Sequence, residues 1–189
     1  CHLTGSGAPA ARRSTIKQLT IMRHGEAEGR GADGDEARAL TERGKDDCRR
    51  LAAHLKGEGM AWNQILCSSA QRAQESAALL AAAMDTPPAL ETRPELYLAG
   101  AENLLMQLRA LADTANEVLL VGHNPGLHAL TRFLLGRGGG NLARRAARDC
   151  PPGAIAIFSC ECEAWADLKP DHAELRSFLT PSDVSYKKN

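Results

Sequence analysis

Four side chains combine types and positions that could do chemistry on a charged group. Arg23 and His24 follow the run Leu19-Thr20-Ile21-Met22 and precede Gly25. Arg72 comes shortly after Gln64-Ile65-Leu66-Cys67 and the pair Ser68-Ser69. His123 closes Val118-Leu119-Leu120-Val121-Gly122 and leads into Asn124-Pro125-Gly126. An arginine offers a fixed planar fork of donors that fits carboxylate or phosphate, and a neutral histidine is a nucleophile or proton carrier near pH 7. Each residue alone has an ordinary reading: a solvated strand-end charge, a satisfied turn histidine, a surface charge on a helix, a helix cap. The shared context is what carries weight, because each lies just beyond a short apolar run and before a turn.

The elements that must position them follow from periodicity. Thr41 offers a cap, and Cys48, Leu51, Ala52 and Leu55 fall at i, i+3, i+4, i+7, which predicts a first helix. Gln64 to Cys67 is a second strand. Ser68-Ser69 reads as a turn and helix cap, ahead of a second helix with the stripe Ala73, Ala77, Leu80, Ala81 and Met84. Pro87-Pro88 ends that helix, and Ala89 to Thr92 is a third strand. Leu104, Leu105, Leu108, Leu111 and Ala112 mark a third helix. The uninterrupted run Val118 to Val121 suits a central parallel strand covered on both faces, and Leu127, Leu130 and Leu134 open a fourth helix. Gly136 to Pro152 reads as a surface excursion, Ala154–Phe158 and Ala164–Leu168 as two strands of an edge hairpin, and Ala173 to Leu179 as a short helical segment.

This alternation predicts an α/β fold, a three-layer α/β/α sandwich with a mostly parallel sheet and crossover helices. In such a sheet the carboxyl ends of the strands share one edge, so residues after different strands can meet. Arg23, His24, Arg72 and His123 are thereby expected on one rim, where helix amino ends behind Ser69 and Asn124 add backbone donors. Two guanidiniums and two imidazoles in one crevice make an anion site, and a phosphoryl group is the natural occupant.

The three motifs Arg23-His24-Gly25-Glu26, Ser68-Ser69-Ala70-Gln71-Arg72-Ala73 and Val121-Gly122-His123-Asn124-Pro125-Gly126, in this order, resemble the histidine phosphatase superfamily of phosphoglycerate mutase-like fold. The compact spacing and the Gly-His-Asn-Pro-Gly form are most similar to its SixA-type protein-phosphohistidine phosphatases. The resemblance implies that His24 is the nucleophile, that Arg23 and Arg72 grip the nonbridging oxygens, and that His123 donates to them during transfer. It also implies no metal and no cofactor, since Arg and His charges serve instead. Glu95, in Pro94-Glu95-Leu96-Tyr97, is the nearest counterpart of the family's proton donor, although its surroundings depart from the mutases' acid motif. A phosphoramidate has a nitrogen leaving group that is easily protonated, so a weak or missing acid favours phosphohistidine over an alkyl phosphate. Ser69 stands where relatives often carry proline, and its hydroxyl is a further candidate phosphate contact. The implied substrate is a phosphorylated histidine protein of a signalling or phosphorelay system. A small phosphate ester is the alternative, and a non-catalytic phosphoprotein-binding module the second.

Composition excludes other classes. The 189 residues carry 23 basic and 23 acidic side chains, so no global field draws the chain to nucleic acid or to an anionic membrane. The first residues lack a signal-peptide core and no apolar run approaches a membrane span, which predicts a cytoplasmic protein; a monomer is expected, although no residue pattern decides the oligomeric state. Residues 1–17 read as a disordered leader, 18–180 as the single domain and 181–189 as a tail. The six cysteines are dispersed and read as free thiols; Cys160 and Cys162 lack further ligands for a metal, and His128 is wrongly spaced from His123 for a zinc pair. Asn124 reads as structural, Glu26 and Glu28 as loop charges, Arg144, Arg145 and Arg148 as a solvated run, and Trp62 and Trp165 as packing residues.

Overall fold

The computed structural model describes residues 16–184. Six strands form one sheet: β1 (Ile16–Arg23), β2 (Gln64–Ser68), β3 (Ala89–Arg93), β4 (Glu117–Gly122), β5 (Ile155–Glu161) and β6 (Ala173–Leu179). Their spatial order is β3-β2-β4-β1-β5-β6, with β3, β2, β4 and β1 mutually parallel and β5 antiparallel to both of its neighbours. Five helices cover it: α1 (Glu42–Gly57), α2 (Gln71–Ala82), α3 (Ala101–Arg109), α4 (Gly126–Leu135) and α5 (Asn141–Arg148). None of the described helices is long and apolar enough to cross a membrane.

Strand alternation divides the core in two. Val118 and Leu120 of β4 join Leu19 and Ile21 of β1 in packing against Leu104 and Leu108 of α3 and Leu127, Leu130 and Leu134 of α4. Leu119 and Val121, with Met22, pack on the other face against Leu51 and Leu55 of α1 and Ala73, Ala77 and Leu80 of α2. The expected α/β/α sandwich is therefore present, and β4 is apolar throughout because both of its faces are covered. The two tryptophans pack as expected: Trp62 Nε1 donates to Thr20 Oγ1 (3.0 Å) and Trp165 Nε1 to the Ala115 carbonyl (2.6 Å).

Several sequence expectations need correction. Ala173–Leu179 is the edge strand β6, not a helix: its burial alternates along Ala173, Leu175 and Ser177 against exposed Glu174 and Arg176. Ala164–Leu168 is not a strand; Trp165 and Leu168 are both buried three residues apart, the period of the 3₁₀ turn at Trp165–Asp167. The β5 hairpin partner is therefore one segment later in the chain. Gly136–Pro152 contains α5, which docks through the small buried faces of Ala143 and Ala146 and so leaves little hydrophobic signal. Strand β1 starts at Ile16, inside the expected leader, and Lys17 is fully buried, its ammonium donating to the Asp113 carbonyl (2.8 Å) and Asn116 Oδ1 (3.0 Å). The remainder of that leader, residues 1–15, lies outside the described residues, as do 185–189 of the expected tail. Pro181–Asp183 forms a capped turn, and the Arg50 guanidinium donates to the Val184 carbonyl, so the first part of that tail is packed.

Close backbone approaches fix the loop that follows β1. Thr41 caps α1 by accepting from the Gly44 amide (2.9 Å), and its own amide donates to the Glu26 carbonyl (2.9 Å). A Cβ on Gly44 would lie 2.2 Å from that Glu26 oxygen, and one on Gly126 would lie 1.8 Å from the Ala99 carbonyl oxygen. Both contacts are backbone and cannot swing aside. Gly44→Ala is expected to lower stability by roughly 1–3 kcal/mol, read by chemical denaturation. Because the displaced backbone is two residues from His24, it should also shift the position of that side chain. Unchanged stability would contradict the packing described.

Candidate active site

The sheet register sets Arg23, His24 and His123 at one level, and α2, which starts just beyond β2, brings Arg72 to them. Arg23 lies opposite Gly122 in the β1–β4 pair, and Cys67 opposite Val121 in the β2–β4 pair. His24, Ser68 and His123 therefore come together at the carboxyl ends of adjacent strands. The backbone is pinned there: the His24 amide donates to the Gly122 carbonyl (3.1 Å), and the Gly153 amide to the carbonyls of Arg23 (3.1 Å) and His24 (3.0 Å).

His24 is buried and its two nitrogens have separate partners. Nδ1 is 2.7 Å from the Gly25 carbonyl oxygen, an acceptor, so Nδ1 carries the proton and Nε2 keeps its lone pair. Arg72 Nε donates to that Nε2 at 3.2 Å. Burial, with Arg72 and Arg23 nearby, lowers the His24 pKa to about 4. The Gly25 amide donates to Ser76 Oγ (3.0 Å), and that hydroxyl donates to the Arg72 carbonyl (2.7 Å), which ties the turn after His24 to α2.

His123 lies 5.2 Å from His24 between ring centroids. Its Nδ1 faces Arg72 Nη2 (3.4 Å) and its Nε2 faces Ser68 Oγ (2.7 Å). Since a guanidinium only donates, Nδ1 is the acceptor and Nε2–H donates to Ser68. Burial first, then the neighbouring His24 and Arg72, lowers the His123 pKa to about 3. His123 is thus neutral, and in this state its proton serves Ser68.

Arg72 is only 3% exposed although it is charged. Beyond the two imidazoles, its Nη1 donates to the Asp35 carbonyl (2.7 Å) and its Nη2 to Asp35 Oδ2 (3.0 Å). The Asp35 carboxylate also accepts from Tyr97 OH (2.6 Å) and Arg38 Nη1 (2.9 Å), and these donors hold it well below the usual carboxylate range, Tyr97 contributing most. Arg23 Nη1 donates to the Cys150 carbonyl (2.9 Å), which also accepts from Asn124 Nδ2 (2.9 Å). Arg23 Nε is buried without a hydrogen-bond partner, an uncommitted donor at a hollow of about 330 Å³. Arg23, His24, Arg72 and His123 line that hollow, together with Arg30, Asp35, Arg38, Tyr97, Leu98 and Asn124.

The structure therefore brings together four of the six expected residues. Ser69 is not among the lining residues; its hydroxyl donates to Glu36, and α2 is preceded by Ala70 with no side-chain cap. Glu95 is exposed and also outside the lining, because the 3₁₀ turn Pro94–Leu96 buries Leu96 and turns its neighbour outward. The sequence reading missed Asp35, Arg38 and Tyr97, which come from loops without periodicity, and the Cys150 carbonyl, which comes from the presumed surface excursion. Ser76 carried a legible signal: a polar residue inside the Ala73, Ala77, Leu80 stripe must find buried partners. The described residues contain no cluster of three or more metal-ligating side chains, and Cys48, Cys67, Cys150, Cys160 and Cys162 are all free.

A parallel-sheet edge that presents a neutral, lone-pair-bearing histidine between arginines defines a protein that handles phosphoryl groups. Comparison with known proteins agrees. Residues 19–97 match the histidine phosphatase superfamily (branch 1). Phosphohistidine phosphatase SixA of Escherichia coli K12 is 34% identical over 110 residues, covering 57% of this chain and 68% of that one. A structure assigned as SixA from Nakamurella multipartitia superposes with a TM-score of 0.76 at 28% identity, covering 92% of this chain and 99% of that one. The structure of protein histidine phosphatase SixA complexed with tungstate gives a TM-score of 0.72 at 25% identity, covering 89% and 99%. The chain belongs to the histidine phosphatase superfamily, on its SixA-like side, and is a phosphatase.

Burying two neutral imidazoles ties stability to pH. In the unfolded chain both titrate near 6.5, whereas in the fold they stay neutral down to about 4 and about 3. As pH falls below about 6.5 only the unfolded state takes up these protons, so stability drops, by at most about 1.4 kcal/mol per pH unit for each ring, until the folded values are reached. Denaturation followed from pH 7.5 to 4.5 should show this slope, flattened in a His24→Asn/His123→Asn double variant. Equal slopes in the two proteins would remove the assignment.

Proposed function

We propose that this phosphatase acts through a phosphohistidine intermediate on His24, without a metal, and that its substrate is phosphohistidine on a signalling or phosphorelay protein. The observation that carries this reading is the pairing of a prepared nucleophile with the lack of a proton-donating carboxyl among the residues lining the hollow. His24 Nδ1–H is held by the Gly25 carbonyl, leaving Nε2 free to attack once a phosphoryl group replaces its contact with Arg72 Nε. Asp35 lines the hollow but is held ionised, and Glu95 stands outside it. An alkyl ester, whose departing oxygen needs a proton, is poorly served by such a site, whereas a protonated phosphoramidate leaves unaided.

Arg72 and Arg23 supply the fixed positive charge that phosphoryl transfer requires, which is why a metal is not invoked. The phosphorus–nitrogen bond of the substrate breaks as His24 Nε2 bonds to phosphorus. Water then cleaves the new phosphohistidine and releases inorganic phosphate. His123, neutral in the resting site, would turn from acceptor to donor toward the transferred group if it took up a proton, which an arriving phosphate dianion favours. A SixA structure of similar fold is complexed with tungstate, an oxyanion, which is in keeping with this reading.

Incubation with a phosphohistidine protein, with chelator present, followed by quenching under alkaline conditions that preserve phosphohistidine, should trap phosphate on His24, and His24→Ala should abolish it. Arg72→Ala should lower kcat/KM by roughly 10²- to 10³-fold, the scale of removing a preorganised charge from a transition state. Turnover of phosphate esters with none of phosphohistidine would refute the substrate assignment, and trapping that survives His24→Ala would refute the nucleophile.

A further inference from the structure

A carboxylate at a phosphate-binding hollow is costly, because it repels the dianion the site is built to take. Asp35 nevertheless lines the hollow and occupies two of the Arg72 donors, Nη1 through its carbonyl and Nη2 through Oδ2. Tyr97 OH and Arg38 Nη1 complete its surroundings, and with three donors upon it the group acts as an acceptor, not as an acid. Through the Arg72 guanidinium it is linked directly to the Nε2 face of His24, where transfer starts.

We propose that Asp35 is a specificity-determining residue that selects for leaving groups carrying their own proton and positive charge, such as the imidazolium form of a phosphohistidine, over leaving oxygens. This rests on the phosphatase reading of the site and deepens it. As His24 Nε2 bonds to phosphorus, the phosphorus–nitrogen pair returns to the departing ring nitrogen. The ring, protonated beforehand on its other nitrogen, leaves as neutral imidazole, keeping that proton, and the enzyme donates none. A fixed negative charge beside the hollow favours binding and protonation of the cationic ring, and part of that attraction persists in the transition state while the ring still carries positive charge, so the gain falls on kcat/KM. For an ester the leaving oxygen gains negative charge in the transition state, so the same carboxylate opposes its departure. One group thus shifts the two reactions in opposite directions, which a purely structural support of the loop would not do.

The test compares Asp35→Asn with the natural protein on two peptides of one sequence, one bearing phosphohistidine and the other phosphoserine. A single charge acting at this range is worth about 10- to 100-fold in rate. Asp35→Asn should lose up to about that factor in kcat/KM on phosphohistidine. On phosphoserine it should gain turnover with a lower KM, since a repulsive charge has gone. Asp35→Glu should keep the phosphohistidine preference. Retained sulfate binding and a cooperative thermal unfolding transition establish that the variant is folded. A parallel change on both peptides in either direction, or no change, overturns the inference while leaving the phosphatase reading intact; a parallel rise would make Asp35 a plug. A natural protein that prefers phosphoserine also overturns it. If the natural protein turns over neither peptide and His24 takes no phosphate, the phosphatase reading itself falls, and the inference with it.

Discussion

The site depends on one buried cation. Arg72 is almost fully removed from water, and a guanidinium cannot relieve that cost by losing its proton, so each of its three nitrogens must find an acceptor within the fold. The acceptors are His24 Nε2, His123 Nδ1, and the carbonyl and carboxylate of Asp35. Those demands fix the imidazole tautomers. A guanidinium facing His24 Nε2 and His123 Nδ1 requires both to be unprotonated, and the opposite nitrogens then carry the hydrogens, to Gly25 and to Ser68. The tautomer that leaves a lone pair on His24 Nε2 thus follows from satisfying the neighbouring arginine.

What allows such a cluster is the sheet. Three parallel strands end side by side, and each contributes the residues just beyond its last ladder pair. Helices follow at once and return over the two faces, so the turns between strand and helix are short and held at both ends. Gly44 and Gly126 permit the closest of these returns, where no side chain fits between backbones. The antiparallel pair β5 and β6 extends the sheet on the other side of β1, and the turn before β5 supplies the Gly153 amide that holds the carbonyls of Arg23 and His24.

The parts legible in the sequence were those governed by local periodicity. Parallel strands buried on both faces announce themselves as apolar runs, and a chemically capable residue directly after such a run is placed by topology alone; Arg23, His24, Arg72 and His123 were found in this way. Failure began where position is decided by contacts distant in the chain. Asp35 reaches Arg72 across 37 residues and Tyr97 reaches Asp35 across 62, and neither lies in a segment with a period to read. Glu95 shows the complementary error. The resemblance alone singled it out as the counterpart of a proton donor, but a 3₁₀ turn sends consecutive side chains in different directions, and Leu96 took the inward place. The short strand β6 and the turn at Trp165–Asp167 were exchanged because a few residues of alternating polarity fit either a strand or a tight turn until burial decides between them.

Charge balance links the resting site to the reacting one. Around the hollow stand Arg23, Arg30, Arg38 and Arg72, a single carboxylate, and two imidazoles held neutral by burial. The cluster is therefore electropositive before any substrate binds, and Asp35 partly offsets the most buried of its cations. A phosphoryl dianion brings the remaining compensation and competes with Asp35 for the same fork of donors. Burial has already removed the charge from the imidazoles, so the attraction a substrate meets comes from the arginines, which stay charged at any physiological pH. In such a site, both imidazoles stay neutral and the positive field stays constant across the physiological pH range.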